Sequence, residues 1–278
     1  MPKPIIVLLV LAIGALASAS AAPAAEIPFR FTDGFICVEA RVDQSGEPLN
    51  LLLDSGAGVS VLDLRTARRL KLKLGRPEGV RGVGSESAAY HLAPVRASAG
   101  TIALPPIPLA TDLSMADELC SRRVDGLIGV DFFEGRVVQI DYGRRCLRVV
   151  GSPGAAAQRL PITIKNGVMC VPVGVNDSQP RWTRFDTGCN DSLHWVIPRP
   201  QERKGRTGVS IGFVTNPEDT SLTSVSLGSR RMDQVKTSLH GRALFEGEAG
   251  LLGNGLLSRF LVTVDWPGQQ VLLDEVTR

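Results

Sequence analysis

Apolar and polar positions alternate over residues 35–42, the period of a strand with one face in a core. A turn-rich stretch follows, Asp43-Gln44-Ser45-Gly46-Glu47-Pro48. Residues 49–53 then run apolar apart from Asn50, which predicts a returning strand buried on both faces. The hairpin so formed ends on Asp54 and delivers that carboxyl from a rigid core strand. Over residues 59–74, Leu62, Ala67 and Leu70 share a helical face, and a helix is expected there. Residues 79–85 are glycine-rich, residues 125–133 read as a further strand, and residues 137–150 as a hairpin turning at Tyr142-Gly143. A small-residue stretch, Gly151-Ser152-Pro153-Gly154-Ala155-Ala156-Ala157, reads as a linker. Short strands, many turns and few helical stretches make the expected class all-β with short helices.

After the linker the pattern starts again, and this repetition is the strongest feature of the chain. Ile27-Pro28 returns as Leu160-Pro161, and Gly34-Phe35-Ile36-Cys37-Val38 as Gly167-Val168-Met169-Cys170-Val171, at an offset of 133. Leu52-Leu53-Asp54-Ser55-Gly56-Ala57 returns as Arg184-Phe185-Asp186-Thr187-Gly188-Cys189 at an offset of 132. Asp125-Gly126-Leu127-Ile128-Gly129 returns as Ala249-Gly250-Leu251-Leu252-Gly253, and Asp141-Tyr142 as Asp265-Trp266, at an offset of 124. A period this long excludes a solenoid and predicts two homologous lobes.

A hydrophobic strand, Asp-Ser/Thr-Gly, and later two apolar residues and Gly, present in both halves, resembles the retropepsin-like and pepsin-like aspartic peptidases. The resemblance implies two acid-protease lobes related by a pseudo-two-fold axis, residues 26–150 and 159–278, joined by residues 151–158. It implies Asp54 and Asp186 as the catalytic acids. Ser55, Gly56, Thr187 and Gly188 would support them, the hydroxyls by bonding across the two-fold and the glycines by leaving room. It places a flap at residues 79–85, making Gly82, Gly84 and Ser85 candidates for substrate contact, with Tyr90 as a flap-side aromatic. An ordinary exposed turn is the other reading of that segment. The flap of the second lobe would fall within residues 205–227. One chain supplies both acids, so a monomer suffices for a complete site.

Composition adds compartment and partners. The chain has 278 residues, 44% hydrophobic and 21% charged, as soluble two-lobed proteins do. A net charge of +3 gives no reason to expect nucleic acid or an anionic membrane as partner. The basic run Arg65, Arg68, Arg69, Lys71 and Lys73 reads as a solvated face, with an anionic partner as the alternative. Lys3, an apolar run of 13 residues from Ile5 to Ala17 and small residues up to Ala25 read as a signal peptide over residues 1–25. Export to the periplasm or the medium is expected, without stable membrane insertion after cleavage. Five cysteines leave at least one thiol unpaired. Cys37 and Cys170 share a repeat position and read as buried small residues, and Cys120–Cys146 is the favoured bridge. No cysteine spacing suits zinc, and neither metal nor cofactor is expected.

Paired carboxylates that share one proton can activate water and polarise a peptide carbonyl, so the expected activity is endopeptidase cleavage of a peptide or protein. The second half departs from the first at four positions: Arg184 replaces Leu52, Cys189 replaces Ala57, and Asn190-Asp191 replaces Gly58-Val59. Strand alternation sends Arg184 to the same side as Asp186, and an arginine reaching the acid would hold it ionised and disturb proton sharing. A catalytically weak peptide-binding protein is therefore the alternative. Glycoside hydrolysis also uses two carboxylates, but needs neither the duplication nor the Ser/Thr-Gly signature, and 5% aromatic residues offer little for sugar stacking. A Ser or Cys nucleophile lacks a histidine in a matching repeat position to serve as base.

Overall fold

The computed structural model describes residues 25–43, 45–82, 85–197 and 220–276. The signal-peptide expectation lies almost wholly outside the described residues, as do Gly84 and residues 205–219 of the expected second flap. The first repeat contains β1 (Ala25–Thr32), β2 (Phe35–Val42), β3 (Pro48–Leu53), β4 (Val61–Asp63), α1 (Leu64–Arg69), β5 (Pro77–Gly82), β6 (Ser85–Val95), β7 (Ala97–Ala99), β8 (Ile102–Ala103), β9 (Ile107–Thr111), α2 (Ser114–Leu119), β10 (Gly126–Ile128), β11 (Val137–Asp141) and β12 (Cys146–Val150). The second contains β13 (Gln158–Pro161), β14 (Thr163–Lys165), β15 (Val168–Val175), β16 (Arg181–Phe185), β17 (Leu193–Val196), β18 (Thr220–Leu227), β19 (Arg230–His240), β20 (Gly250–Leu252), α3 (Asn254–Leu257), β21 (Phe260–Asp265) and β22 (Gln270–Glu275). The class is mostly β, as the alternation and turn density require.

Strand order makes the duplication physical. The first repeat runs β1-β2-β3-β10-β4-β9-β6, and the second runs β14-β15-β16-β20-β17-β19-β18. In each, the strand that ends on the acid lies parallel to the strand carrying the apolar pair: β3 beside β10 and β16 beside β20. The two halves meet in a six-stranded sheet, β13-β22-β21-β11-β12-β1. At its centre β11 and β21 are antiparallel, with Val137 opposite Asp265, Gln139 opposite Thr263 and Asp141 opposite Leu261. The offset of 124 exchanges the outer two pairs and maps the middle pair onto itself. A pseudo-two-fold axis therefore passes between Gln139 and Thr263, whose side chains are hydrogen-bonded at 3.3 Å.

A continuous apolar core runs through both halves and under the shared sheet, with Phe132, Phe133, Phe185 and Phe260 among its largest buried side chains. A second cluster in the first half gathers Phe35, Cys37, Leu52, Leu109, Cys120, Val124 and Leu127, with Ala57, Val59 and Val80 packed on it.

Three expectations change. The helix expected over residues 59–74 is one short α-helix, because Val61–Asp63 pairs with both β10 and β9 and Asp63 caps the helix by accepting from the Arg65 N–H. β-branched Val59 and Val61 favour that extended entry. The Cys120–Cys146 bridge does not form: all five cysteines are free and buried. Cys120 packs into the cluster of Phe35 and Cys37 beyond α2, whereas Cys146 lies on β12 opposite Pro28 and Asp141 in the shared sheet. The basic run is partly neutralised, with Arg65 on Asp63 and Asp117, and Arg69 on Glu47 and Asp125. No helix among the described residues is long and apolar enough to cross a membrane.

Candidate active site

Each acid follows the last residue of a strand buried on both faces, and each loop is built identically. The Asp54 N–H donates to the Ile128 carbonyl at 2.8 Å, and the Asp186 N–H to that of Leu252 at 3.0 Å. The Gly56 N–H donates to Asp54 Oδ1 and the Gly188 N–H to Asp186 Oδ1, both at 2.9 Å. The carbonyls of Ala57 and Cys189 then accept from the N–H groups of Val130 and Asn254, both at 2.8 Å.

Across the interface the hydroxyls interlock. Ser55 Oγ donates to the Phe185 carbonyl at 2.8 Å and accepts from the Thr187 N–H at 3.0 Å. Thr187 Oγ1 donates to the Leu53 carbonyl at 2.9 Å and accepts from the Ser55 N–H at 3.0 Å. Both side chains are fully buried, so each bond closes a backbone group that water cannot reach. Thr187→Val keeps the shape and strands the Ser55 N–H and the Leu53 carbonyl, an expected loss of about 2–4 kcal/mol in denaturant unfolding. A loss under roughly 0.5 kcal/mol would show that these bonds do not hold the halves together.

The same geometry forces the carboxyls together. A Cβ on Gly56 would sit 2.5 Å from Asp186 Oδ1, and one on Gly188 would be as close to Asp54. Only a hydrogen side chain leaves space for the opposing acid. Asp186 is buried, whereas Asp54 is partly open. Burial pushes both carboxyls above the ordinary range. For Asp186 the nearby Asp54 charge adds to the rise, and Arg184 opposes it in both. Two buried carboxyls held this close cannot both ionise cheaply, which is the condition for sharing one proton.

The departures of the second repeat have partners. Arg184 does not pair with either acid; it forms a buried ion pair with Glu248. Asn190 Nδ2 donates to the Asp33 carbonyl at 3.1 Å, and its Cβ packs on Gly34, whose φ of +82° and crowding both require glycine. Asp191 accepts from His194 at 3.0 Å, which lowers its pKa. Cys189 is buried beside Asp186, and burial first, then that neighbouring charge, raises its thiol pKa well above the usual value, leaving it an unreactive thiol.

The glycine-rich segment forms a hairpin, β5 against β6, closing with Gly82 opposite Ser85. Val80 packs on the apolar cluster that includes Leu52. Tyr90 lies at the hairpin's base, opposite Pro77 and Ala110, away from the tip. Three residues of the site escape a motif reading. Asn254 donates to the carbonyls of Gly34 and Thr187 and accepts from the buried Tyr142 hydroxyl at 2.8 Å. Asp131 accepts from the Ser60 N–H and hydroxyl below the first loop. Glu248 is the third, and its signal was available: at repeat-related positions, Arg184 replaces Leu52 and Glu248 replaces Val124 together.

Residues 38–132 match the family model described as aspartyl protease. That span contains Asp54 and the strands around it and ends before the second repeat. Among solved structures, the aspartic proteinase from Irpex lacteus superposes with a TM-score of 0.56 at 13% identity, over 91% of this chain and 98% of that one. The first repeat is therefore similar in sequence to the aspartyl proteases, and the chain as a whole has the fold of a pepsin-like aspartic proteinase. No curated protein matches it. At that identity the likeness to the Irpex lacteus enzyme is one of fold, while the match over residues 38–132 supports a hydrolase of the aspartic endopeptidase type.

Proposed function

We propose that the chain is an exported aspartic endopeptidase in which water held between Asp54 and Asp186 attacks a peptide carbonyl. The observation that carries this reading is the crossed Ser55–Thr187 grip, which holds the Asp54 and Asp186 loops against each other. Proton sharing between two such acids is a known property of aspartic proteases as a type. The ionised acid takes a proton from water as the oxygen bonds to the carbonyl carbon. The protonated acid gives its proton to the carbonyl oxygen. As the C–N bond breaks, the proton taken from water passes to the leaving amine, and the other returns from the diol to its acid.

The substrate would lie as an extended strand beneath the β5–β6 hairpin, near the Gly82–Ser85 pairing that closes it, with Tyr90 at the hairpin's base. One chain supplies both acids, so a monomer is sufficient. Export rests on the apolar leader of residues 1–25. The alternative of an inactive peptide binder loses its main support, because Arg184, Asn190 and Asp191 are engaged by Glu248, Asp33 and His194.

Incubation of the protein with a mixed peptide library across about pH 3–8, read by mass spectrometry, tests this reading. Internal cleavages recurring at one type of sequence are the expected result. A folded protein that cleaves nothing at any pH would rule it out.

A further inference from the structure

Arg184 lies on β16, two residues before Asp186, and is 4% exposed. Its Nε and Nη2 donate to the two oxygens of Glu248, each at 2.8 Å. Its guanidinium carbon lies 3.3 Å from the ring centroid of Phe245. The remaining nitrogen, Nη1, crosses to the first repeat and donates to the Gly56 carbonyl at 2.8 Å. Glu248 is also buried and accepts a third bond from Asn166 Nδ2 at 2.7 Å. A pair this well satisfied is held in one geometry.

The Gly56 carbonyl is one end of an amide whose other end, the Ala57 N–H, donates to the backbone carbonyl of Asp54 at 3.0 Å and closes the loop that carries the acid. A cation on the carbonyl end polarises the amide and strengthens its donor end. The first repeat has no counterpart to offer Gly188, since Leu52 and Val124 occupy the related positions and pack in an apolar cluster. The two loops are otherwise built alike. This ion pair therefore breaks the symmetry of the dyad.

We infer that Arg184, held by Glu248, is a positioning residue that fixes the Asp54 loop and sets a permanent positive charge beside the dyad, which favours its ionised form. The effect on the acids stands by itself, while its consequence for turnover rests on the peptidase reading. The groups that face Asp54 are Asp186 and Cys189 from the second acid's loop and Arg184 from β16, with Glu248 behind Arg184 and Asp191 further along that loop.

The test is a titration of the aspartate side chains by carbon-13 NMR in the full chain, with Asp54 assigned through Asp54→Asn, alongside kcat/KM against pH. Arg184→Leu combined with Glu248→Val installs the residues the first repeat carries and leaves no unpaired charge, so the fold is retained. The Asp54 midpoint is expected to rise by about one pH unit, and the acid limb of kcat/KM to follow it. Glu248→Gln keeps an acceptor for Arg184 but leaves its charge unopposed, and the midpoint is expected to fall. Opposite shifts support the inference. A midpoint within a few tenths of wild type in both variants, or displaced the same way in both, overturns it. If Glu248→Gln alone folds, a midpoint that does not fall overturns it equally. A wild type that cleaves no peptide would refute the peptidase reading and leave the titration to decide the effect of Arg184 on the acids.

Discussion

Asp54→Asn and Asp186→Asn are each expected to lower kcat/KM by about 10³-fold or more, and both variants to unfold at a higher temperature than wild type at neutral pH. The activity loss follows from the dyad's need for one acid to donate and one to accept, since an amide does neither as a titrating group. The gain in stability follows from linkage. Burial raises both carboxyls above their unfolded values, and Asp54 raises Asp186 further. Between the unfolded and folded midpoints the native state binds more protons than the unfolded one. Stability therefore falls as pH rises through that window, and above it the native state carries the whole penalty. Replacing either acid with its neutral isostere removes charge from the pair, with about 2–4 °C expected per kcal/mol recovered. Calorimetry at neutral pH and again below the ordinary carboxylate range measures both limits, and the gain should vanish at the lower pH. A variant that cleaves at the wild-type rate would remove its residue from the mechanism. One that is inactive but less stable at neutral pH would mean that its carboxylate is stabilised by the fold.

Gly188→Ala and Gly56→Ala are expected to lose about 10²-fold in kcat/KM and also to lose stability, the opposite sign to the Asn variants. The new methyl would meet the opposing carboxylate, 2.5 Å from Asp186 Oδ1 in the case of Gly56. The neighbour that must yield is an acid whose position is fixed by the N–H of its own loop's glycine and by the strand behind it. Separating the carboxyls weakens proton sharing and moves the water out of line. Steady-state kinetics together with thermal unfolding distinguish this from a local charge effect. An alanine variant with wild-type kinetics would show that the loops have slack that the packing does not suggest.

Much of this was legible in the order of residues. The apolar run before Asp54, the Asp-Ser/Thr-Gly tripeptides and the Leu-Ile-Gly and Leu-Leu-Gly strands recur at nearly constant offsets. Recurrence is a property of the chain that survives without coordinates. Sequence and structure part where a local pattern has two outcomes. Leu62, Ala67 and Leu70 fit a helical face, yet β10 and β9 recruit Val61–Asp63 as a strand, because burying it between two neighbours outweighs continuing a helix. Cys120 and Cys146 share a repeat, and only packing reveals that they lie in different parts of it.

The meaning of Arg184 shows the boundary most clearly. Strand alternation sends it toward the acids' side, where an ion pair with an acid is one outcome. Its partner instead comes from 64 residues later, and its third bond goes to the other half of the molecule. By itself the sequence determined the duplication, the mainly β class, the strand that carries each acid and the residue types around them, since these follow from short-range periodicity and repetition. Only the tertiary structure decided how close the acids stand, which hydroxyl closes which backbone group and where Arg184 places its charge. These are long-range, directional contacts between segments that chain spacing leaves free, and burial then fixes their strength.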